Sequence, residues 1–374
     1  MPFRFEHDET PIDGVKRIAA ERLDKAIAVA KMPRPVAEDI HEIRKDLKSL
    51  RALLQVMRGH LVRTVRDQEN LIFRDAGRIL SKRRDVEVLL ETLAKLYGTP
   101  EKPKGQAARS AGRTVIQRIR QELEADAHRS LSNSDLHKIA TWLSDVRART
   151  ETWDIRNGTN GAAEEYMFVG AGLEHTYRRG RQQVKIVDTI GIENATDELW
   201  HEIRKRAKAL GYQLRLLRKV WPSAVHALVA ALDELTQNLG DDHDLALVRQ
   251  RIVQLPFQSS DTEKMVGVRQ ALLRVIDRRR RRLKAAALYQ ARMIYVEKPA
   301  RFVDRFDRYW QFWKAGISES KPVSKSGGTG DNRAPRDHAP KLDGAHTNAR
   351  HGPAPKIEKV LGEQLASLPV TRAE

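Results

Sequence analysis

The sequence contains no cysteine, few aromatic residues and no long hydrophobic run. The absence of cysteine among its 374 residues excludes disulfides and thiolate metal sites. Phe, Trp and Tyr make up only 6% of the chain, which disfavours the aromatic stacking used by single-strand nucleic-acid binders. Nowhere do about 18 apolar residues follow one another, as a membrane-spanning helix requires, and the first residues lack the apolar core of a signal peptide. We therefore expect a cytoplasmic protein without membrane attachment.

The sequence also lacks the short motifs that mark common enzyme active sites. It contains no His-Glu-x-x-His metal site, no P-loop Gly-Lys-Ser/Thr element and no Gly-x-Ser-x-Gly turn. No paired carboxylates are placed to converge on its basic segments. We therefore expect a binding protein rather than an enzyme, with no metal and no cofactor.

Positive charge is abundant. The chain has 68 Lys and Arg against 50 Asp and Glu, a net charge of +18. Such a surplus attracts an anionic partner, and nucleic acid, an acidic membrane surface and inorganic polyphosphate all fit. Charge alone does not choose among these three.

Hydrophobic residues recur at helical spacing, and no segment alternates as a strand does, so the sequence predicts an all-α protein. A Gly- and Asn-rich break at 157–161 separates a half of about 10–156 from a half of about 161–316. Residues 317–374 are rich in Pro and Gly, which predicts a disordered tail. We expect helices at about 11–31, 36–62, 67–97, 115–127, 135–149, 161–191, 196–220, 223–254, 262–295 and 299–314, with a loop at 98–112.

One ten-residue stretch occurs twice. Residues 41–50 read HEIRKDLKSL and residues 201–210 read HEIRKRAKAL, identical at seven of ten positions with an offset of 160. This match is too long for chance even in a chain rich in Arg and Lys. We interpret the chain as two copies of one helical unit.

Each copy carries a row of cations on one helix face. A helix turns by about 100° per residue, so Ile43, Leu47 and Leu50 face inward while the basic side chains lie on another face. The rows comprise His41, Arg44, Lys48 and Arg51 with Lys45 at the edge, and His201, Arg204, Lys208, Tyr212 and Arg215 with Lys205 alongside. Two matched rows favour a site for a linear polyanion over a solvated basic face.

Two other basic segments are candidates for the same ligand. Arg74, Arg78 and Lys82 share a face of the next predicted helix at i, i+4 and i+8. Five consecutive arginines at 278–282, with Lys284, surround their helix, so only some can face a common ligand. For both segments a solvated surface is the alternative interpretation.

An aspartate follows each row at a similar distance. Asp85 and Asp244 lie 44 and 43 residues after the histidine that opens the row. Either one can orient the preceding histidine or arginine, or face solvent. Asp242-His243-Asp244 also leaves open an HD-type metal phosphohydrolase, which would need further His and Asp ligands. The first half has Arg83-Arg84-Asp85 at the matched place, so the His-Asp pair is not part of the repeated unit.

These features resemble the CHAD family, the conserved histidine α-helical domain. The carriers are His41-x-x-Arg44-x-x-x-Lys48-x-x-Arg51, its second copy from His201 to Lys208, and GLEHTYRRGR at 172–181, which looks like the family's Tyr-Arg-Arg-Gly-Arg element. The resemblance covers about residues 10–315. Ser49, Ala209 and Gly211 stand where the family usually has further basic residues, so the second row is thinner in charge.

The resemblance implies a domain over about residues 1–316 that binds inorganic polyphosphate. The family fold is two pseudo-symmetric four-helix bundles around a basic central channel, and its members associate with polyphosphate granules. By resemblance the binding role falls on the two rows and on Tyr177, Arg178 and Arg181, to which we add Arg78 and Lys82. A general polyanion- or nucleic-acid-binding protein is the alternative, and DNA is expected to compete weakly through charge.

The two histidines predict a pH dependence. Neighbouring cations oppose protonation of His41 and His201, whereas a bound polyanion favours it. We therefore expect binding to tighten as the pH falls from about 8 to about 6, because the histidines titrate in this range.

Overall fold

The computed structural model describes residues 3–97, 114, 116–121, 131–155, 162–254 and 263–316. These residues belong to one compact unit, Met1–Ser320. Within them no strands pair into a sheet, and the backbone is helical apart from short connections. The helices are α1 (Pro11–Ala30), α2 (Ala37–Val56), α3 (Arg63–Ile79), α4 (Ser81–Tyr97), α5 (Asn133–Thr150), α6 (Ala162–Ile190), α7 (Asp197–Leu216), α8 (Pro222–Gln254), α9 (Glu263–Ile294) and α10 (Pro299–Lys314). The prediction of an all-α fold is confirmed.

The helix starts follow ordinary capping chemistry. Thr10 Oγ1 accepts a hydrogen bond from the Asp13 amide at 3.2 Å, and Pro11 occupies the first helical position of α1. Thr196 caps α7 in the same way through the Leu199 amide at 3.3 Å. The bounds of α2 and α7 differ by the same 160 residues as the repeated stretch. The repeat therefore corresponds to two helices of equal length.

The helices predicted at 36–62, 67–97 and 196–220 have wrong boundaries, and the last of these ends at Leu216. The helix expected at 36–62 ends at Val56, because the connection to α3 passes through Gly59, whose φ of +93° suits glycine and ends the helical run. The helix expected at 67–97 is two helices, α3 and α4, that meet at Leu80. There the Ser81 hydroxyl donates to the Arg78 carbonyl at 3.0 Å, a local bond that competes with helical pairing.

The two repeated helices lie at the centre of the domain. α2 packs against α1, α3, α6 and α7, and α7 packs against α6 and α8 as well. The inward residues predicted for α2, among them Ile43, Leu47 and Leu50, are at most 2% exposed. Burying each such side chain stabilises the fold by about 1.5–3 kcal/mol. The apolar faces of α2 and α7 therefore fix the orientation of their basic faces.

A second, smaller apolar cluster joins the two halves. Leu89 and Leu93 of α4 pack with Leu245 and Val248 of α8 and with Ile276 of α9. α4 thus packs on α8 of the other half as well as on α3 of its own half. No helix of the described residues is long and apolar enough to cross a membrane. The predicted loop at 98–112, the break at 157–161 and the tail at 317–374 lie outside the described residues.

Candidate functional site

A cavity of about 1160 Å³ lies between the basic faces of α2 and α7 and is called here the central cavity. α3, α4 and α8 supply its other walls. Among the described residues, ten Lys and Arg side chains line it together with three histidines, against two acidic residues, Asp67 and Asp244. A concave space lined by charge of one sign concentrates counter-ions of the other sign. This cavity is suited to an anion that carries many charges.

Both predicted rows reach the central cavity. The predicted residues that line it are His41, Arg44, Lys48 and Arg51 from α2, and His201, Arg204, Lys205, Lys208 and Tyr212 from α7. The structure therefore places side chains separated by 160 residues in the sequence around one space.

Lys48 shows how closely the two rows approach each other. Burial, together with repulsion from Lys208, Arg44, Arg204 and Arg51, lowers its pKa to about 7. Two of these four cations belong to α2 and two to α7. Lys48 forms no ion pair with any described residue. A bound anion would relieve the cost of this concentrated charge.

Arg204 is held against α8. Its Nε donates to the Thr236 carbonyl at 3.3 Å, and burial lowers its pKa although Asp244 and Asp241 act in the opposite direction. Its guanidinium lies over Gly240, where an added Cβ would come within 2.8 Å of Arg204 Nη2. The glycine therefore makes room for the arginine.

Arg51 is fixed from α3. Its Nε donates to Asn70 Oδ1 at 3.0 Å. Burial lowers the pKa of its guanidinium, and repulsion from Arg74 and Arg78 lowers it further. Arg78 itself does not line the cavity; its side chain is 71% exposed and lies 3.7 Å from Asp75. Arg74 and Arg78 thus add positive potential near the central cavity without lining it.

Two histidines face each other across α7 and α8. The rings of His201 and His243 are 5.6 Å apart. Burial, repulsion from His243 and repulsion from Lys205 lower the pKa of His201. Asp242, the neighbour of His243, is buried and accepts a hydrogen bond from Arg280 Nε at 2.8 Å. Among the described residues no group of three His, Asp or Glu side chains could hold a metal ion.

Several predicted residues do not line the cavity. Lys45 extends towards Glu42 at 3.0 Å. Arg215 binds Asp233 through Nη2 at 2.7 Å and lies over the Tyr212 ring. The side chains of Lys82 and Asp85 are outside the described part of the structure. Lys45 and Arg215 are therefore engaged by acids at the edge of their rows.

The Tyr-Arg-Arg-Gly-Arg element is mainly a packing element. Tyr177 is fully buried, stacks on Phe302 at 4.0 Å and donates its hydroxyl to the Ile294 carbonyl at 3.1 Å. Arg181 Nε donates to the Tyr295 carbonyl at 3.0 Å. Arg178 forms an ion pair with Glu174 on the surface. None of Tyr177, Arg178 and Arg181 lines the central cavity, so the part in ligand binding expected of them stays a prediction.

Glycines of the same element allow close helix contacts. An added Cβ at Gly172 would lie 2.4 Å from the Gln55 carbonyl oxygen, so α6 touches the end of α2 at this point. At Gly180 it would lie 2.5 Å from the Tyr295 side chain. The element therefore positions α6 against α2 and against the end of α9.

The structure also adds cavity residues that the sequence analysis did not identify. Arg58 follows Arg51 by seven residues, just beyond the end of α2, a spacing that could have revealed it, whereas Arg66, Arg206 and Arg251 come from positions without such a signal. Next to them, burial and repulsion from Arg58, Arg206 and other arginines lower the pKa of His175 to about 4. The positive charge thus extends beyond the cavity to the surface of α6.

Comparisons with known proteins agree with this architecture. The CHAD domain family profile matches residues 17–253. One solved structure similar to this chain is PptA from Streptomyces chartreusis, with a TM-score of 0.51, 14% identity, and coverage of 81% of this chain and 100% of that chain. Another is the CHAD domain from the plant Ricinus communis, with a TM-score of 0.47, 18% identity, and coverage of 77% and 96%. A search of curated proteins finds no match.

Proposed function

Because the chain belongs to the CHAD domain family, we propose that it binds inorganic polyphosphate in the central cavity between α2 and α7. It acts as a binding protein rather than an enzyme, and its ligand would bring it to polyphosphate granules. The observation that carries the proposal is the convergence of both cation rows on one cavity, whose described lining has ten Lys and Arg and two acidic residues.

The geometry of a helix matches a chain of phosphates. Polyphosphate carries about one negative charge per phosphate, and a helix repeats its face every 5.4 Å. Cations at i, i+3, i+7 and i+10, as in His41, Arg44, Lys48 and Arg51, can therefore contact successive phosphates. Arginine offers paired donors for two phosphate oxygens, whereas lysine supplies a point charge.

The rigid placement of the arginines supports affinity. Arg51 and Arg204 are oriented by Asn70 and by the Thr236 carbonyl, so less side-chain freedom is lost on binding. Each contact uses one guanidinium nitrogen and leaves others for a ligand. The cavity residues that repel each other in the free protein gain a common counter-charge when polyphosphate binds.

The test is a binding titration of long-chain polyphosphate with the Arg44→Glu/Arg204→Glu variant. We expect the dissociation constant to rise about 100-fold or more, since each charge-assisted contact contributes about 1.5–3 kcal/mol. Arg301→Glu/Arg308→Glu is the matched control, because it changes the net charge equally at exposed positions of α10 outside the cavity. An equal loss of affinity in both variants would contradict a site in the central cavity.

A further inference from the structure

A second basic cavity lies on the other side of α8. Its volume is about 520 Å³, and we call it the outer cavity. Nine residues in the described part of the chain line it. Two of them, Glu193 and Asp277, are acidic, and six are basic: Arg249, Arg274, Arg278, Arg280, Arg281 and Lys284. Four of these, at 274, 278, 281 and 284, follow one another at helical spacing along α9. The outer cavity thus contains a third cation row of the kind found on α2 and α7.

Acidic neighbours hold three of the outer cations in place. Arg249 Nε donates to Asp277 at 2.7 Å. Lys284 lies 3.1 Å from Asp197 and above the Trp200 ring, with only 12% of its side chain exposed. Arg280 forms ion pairs with both Asp197 and the buried Asp242, and only 13% of its side chain is exposed. These ion pairs fix the positions of three cations that line the outer cavity.

Other cations of the outer cavity remain available to a ligand. Arg274 and Arg281 are exposed and form no ion pair with any described residue. They lie two helical turns apart, about 10.5 Å at 1.5 Å per residue. A ligand that bridges them must carry charge over a similar length.

No residue that the structure describes lines both the outer and the central cavity. On α8, Leu247 and Arg251 line the central cavity, whereas Arg249 lines the outer one. At about 100° per residue, Arg249 is about 200° around the helix from Leu247. α8 therefore forms a wall of both cavities through opposite faces, so the two can be altered separately.

We propose that the outer cavity is a second, independent binding site for condensed phosphate. The chemistry selects this class, because the outer cavity has a row of guanidinium groups for phosphate oxygens. Its described lining includes no aromatic side chain and one apolar residue, Ile192, which leaves nothing to stack on a base. The proposal deepens the proposed function and rests on it, since it assigns the same ligand class to a second place.

The experiment counts bound tripolyphosphate, a ligand short enough to occupy one cavity, by calorimetric titration of the full chain. Arg274→Glu/Arg281→Glu alters the outer cavity at exposed positions. Arg44→Glu/Arg204→Glu alters the central cavity. Arg279→Glu/Arg282→Glu is the matched control, because these arginines belong to the same run on α9 but do not line the outer cavity.

We expect the outer variant to bind one tripolyphosphate fewer than the wild type, and the control to bind the wild-type number. The central variant should retain the outer ligand, and combining the outer and central substitutions should remove it. An unchanged count in the outer variant, an equal loss in the control, or preferential binding of duplex DNA at this place would overturn the proposal. If the central variant alone kept the full count, the proposed function would fail while the outer site would stand.

Discussion

Lys48 is the residue whose charge depends most directly on pH near neutrality. Its pKa of about 7 means that the free protein loses this charge as the pH rises above 7. Bound polyphosphate favours the charged form and raises the pKa, so binding must take up a proton at higher pH. We predict that Lys48 makes no pH-dependent contribution to affinity below pH 7, where it stays charged, and that affinity weakens above pH 7 by up to about tenfold per pH unit.

Titrations with long-chain polyphosphate at constant ionic strength from pH 6 to pH 9 measure this effect. Lys48→Arg keeps a charge throughout this range and should abolish the weakening of affinity above pH 7. If affinity still weakened above pH 7 in Lys48→Arg as in the wild type, Lys48 would not be the group responsible. The pKa of His201 is lowered from 6.5, so a histidine contribution belongs to the acidic end of the range. The His41→Ala/His201→Ala variant should reduce the dependence of affinity on pH only at this acidic end.

Gly240 tests whether the placement of Arg204 matters. In Gly240→Ala the new methyl group displaces the guanidinium, since it would lie 2.8 Å from Arg204 Nη2. We predict a several-fold loss of polyphosphate affinity with unchanged or higher thermal stability, because alanine favours a helix by about 1 kcal/mol over glycine. Gly267→Ala on α9, where an added Cβ meets nothing within 4 Å, is the control for the helix effect. Equal affinity of both variants would show that Arg204 does not depend on Gly240.

At the scale of helices, we expect Tyr177 of α6 to stabilise the fold rather than to bind the ligand. Tyr177→Phe removes the hydroxyl that donates to the Ile294 carbonyl and leaves the ring on Phe302. We predict that the free energy of unfolding falls by about 0.5–1.5 kcal/mol while polyphosphate affinity is unchanged. Chemical denaturation and a binding titration measure the two quantities. A weaker affinity without lower stability would instead place Tyr177 in the site.

The helices themselves could be predicted from hydrophobic periodicity, and the cation rows from the repeated stretch. Ile43, Leu47 and Leu50 fix one face, so the positions of His41, Arg44 and Lys48 follow from helical geometry. The break at Leu80 could not be predicted in this way, because apolar residues continue at helical spacing across it. The packing role of Tyr177 depends on Phe302 and Ile294, more than 100 residues away in the sequence, and no local pattern reveals such a contact.

In the molecule as a whole, α2 and α7 bring the two rows to one cavity. The sequence repeat indicated that the rows are equivalent but not that they face each other, since this depends on packing between the halves. Long-range packing also placed α4 on α8 and created the outer wall with α9. Arg251 lines the central cavity from α8, and Arg66 lines it from α3, which packs on α2. For this reason a part of the site could not be derived from motifs.

A cavity shaped for polyphosphate differs from a surface that attracts any polyanion through a net charge of +18. The most direct test is a competition titration in which unlabelled duplex DNA and heparin displace labelled long-chain polyphosphate from the wild-type protein at physiological salt. We predict that unlabelled polyphosphate displaces the label at concentrations at least tenfold lower than the other two, at equal charge. Equal displacement by all three polyanions would contradict the account and indicate a generic basic surface.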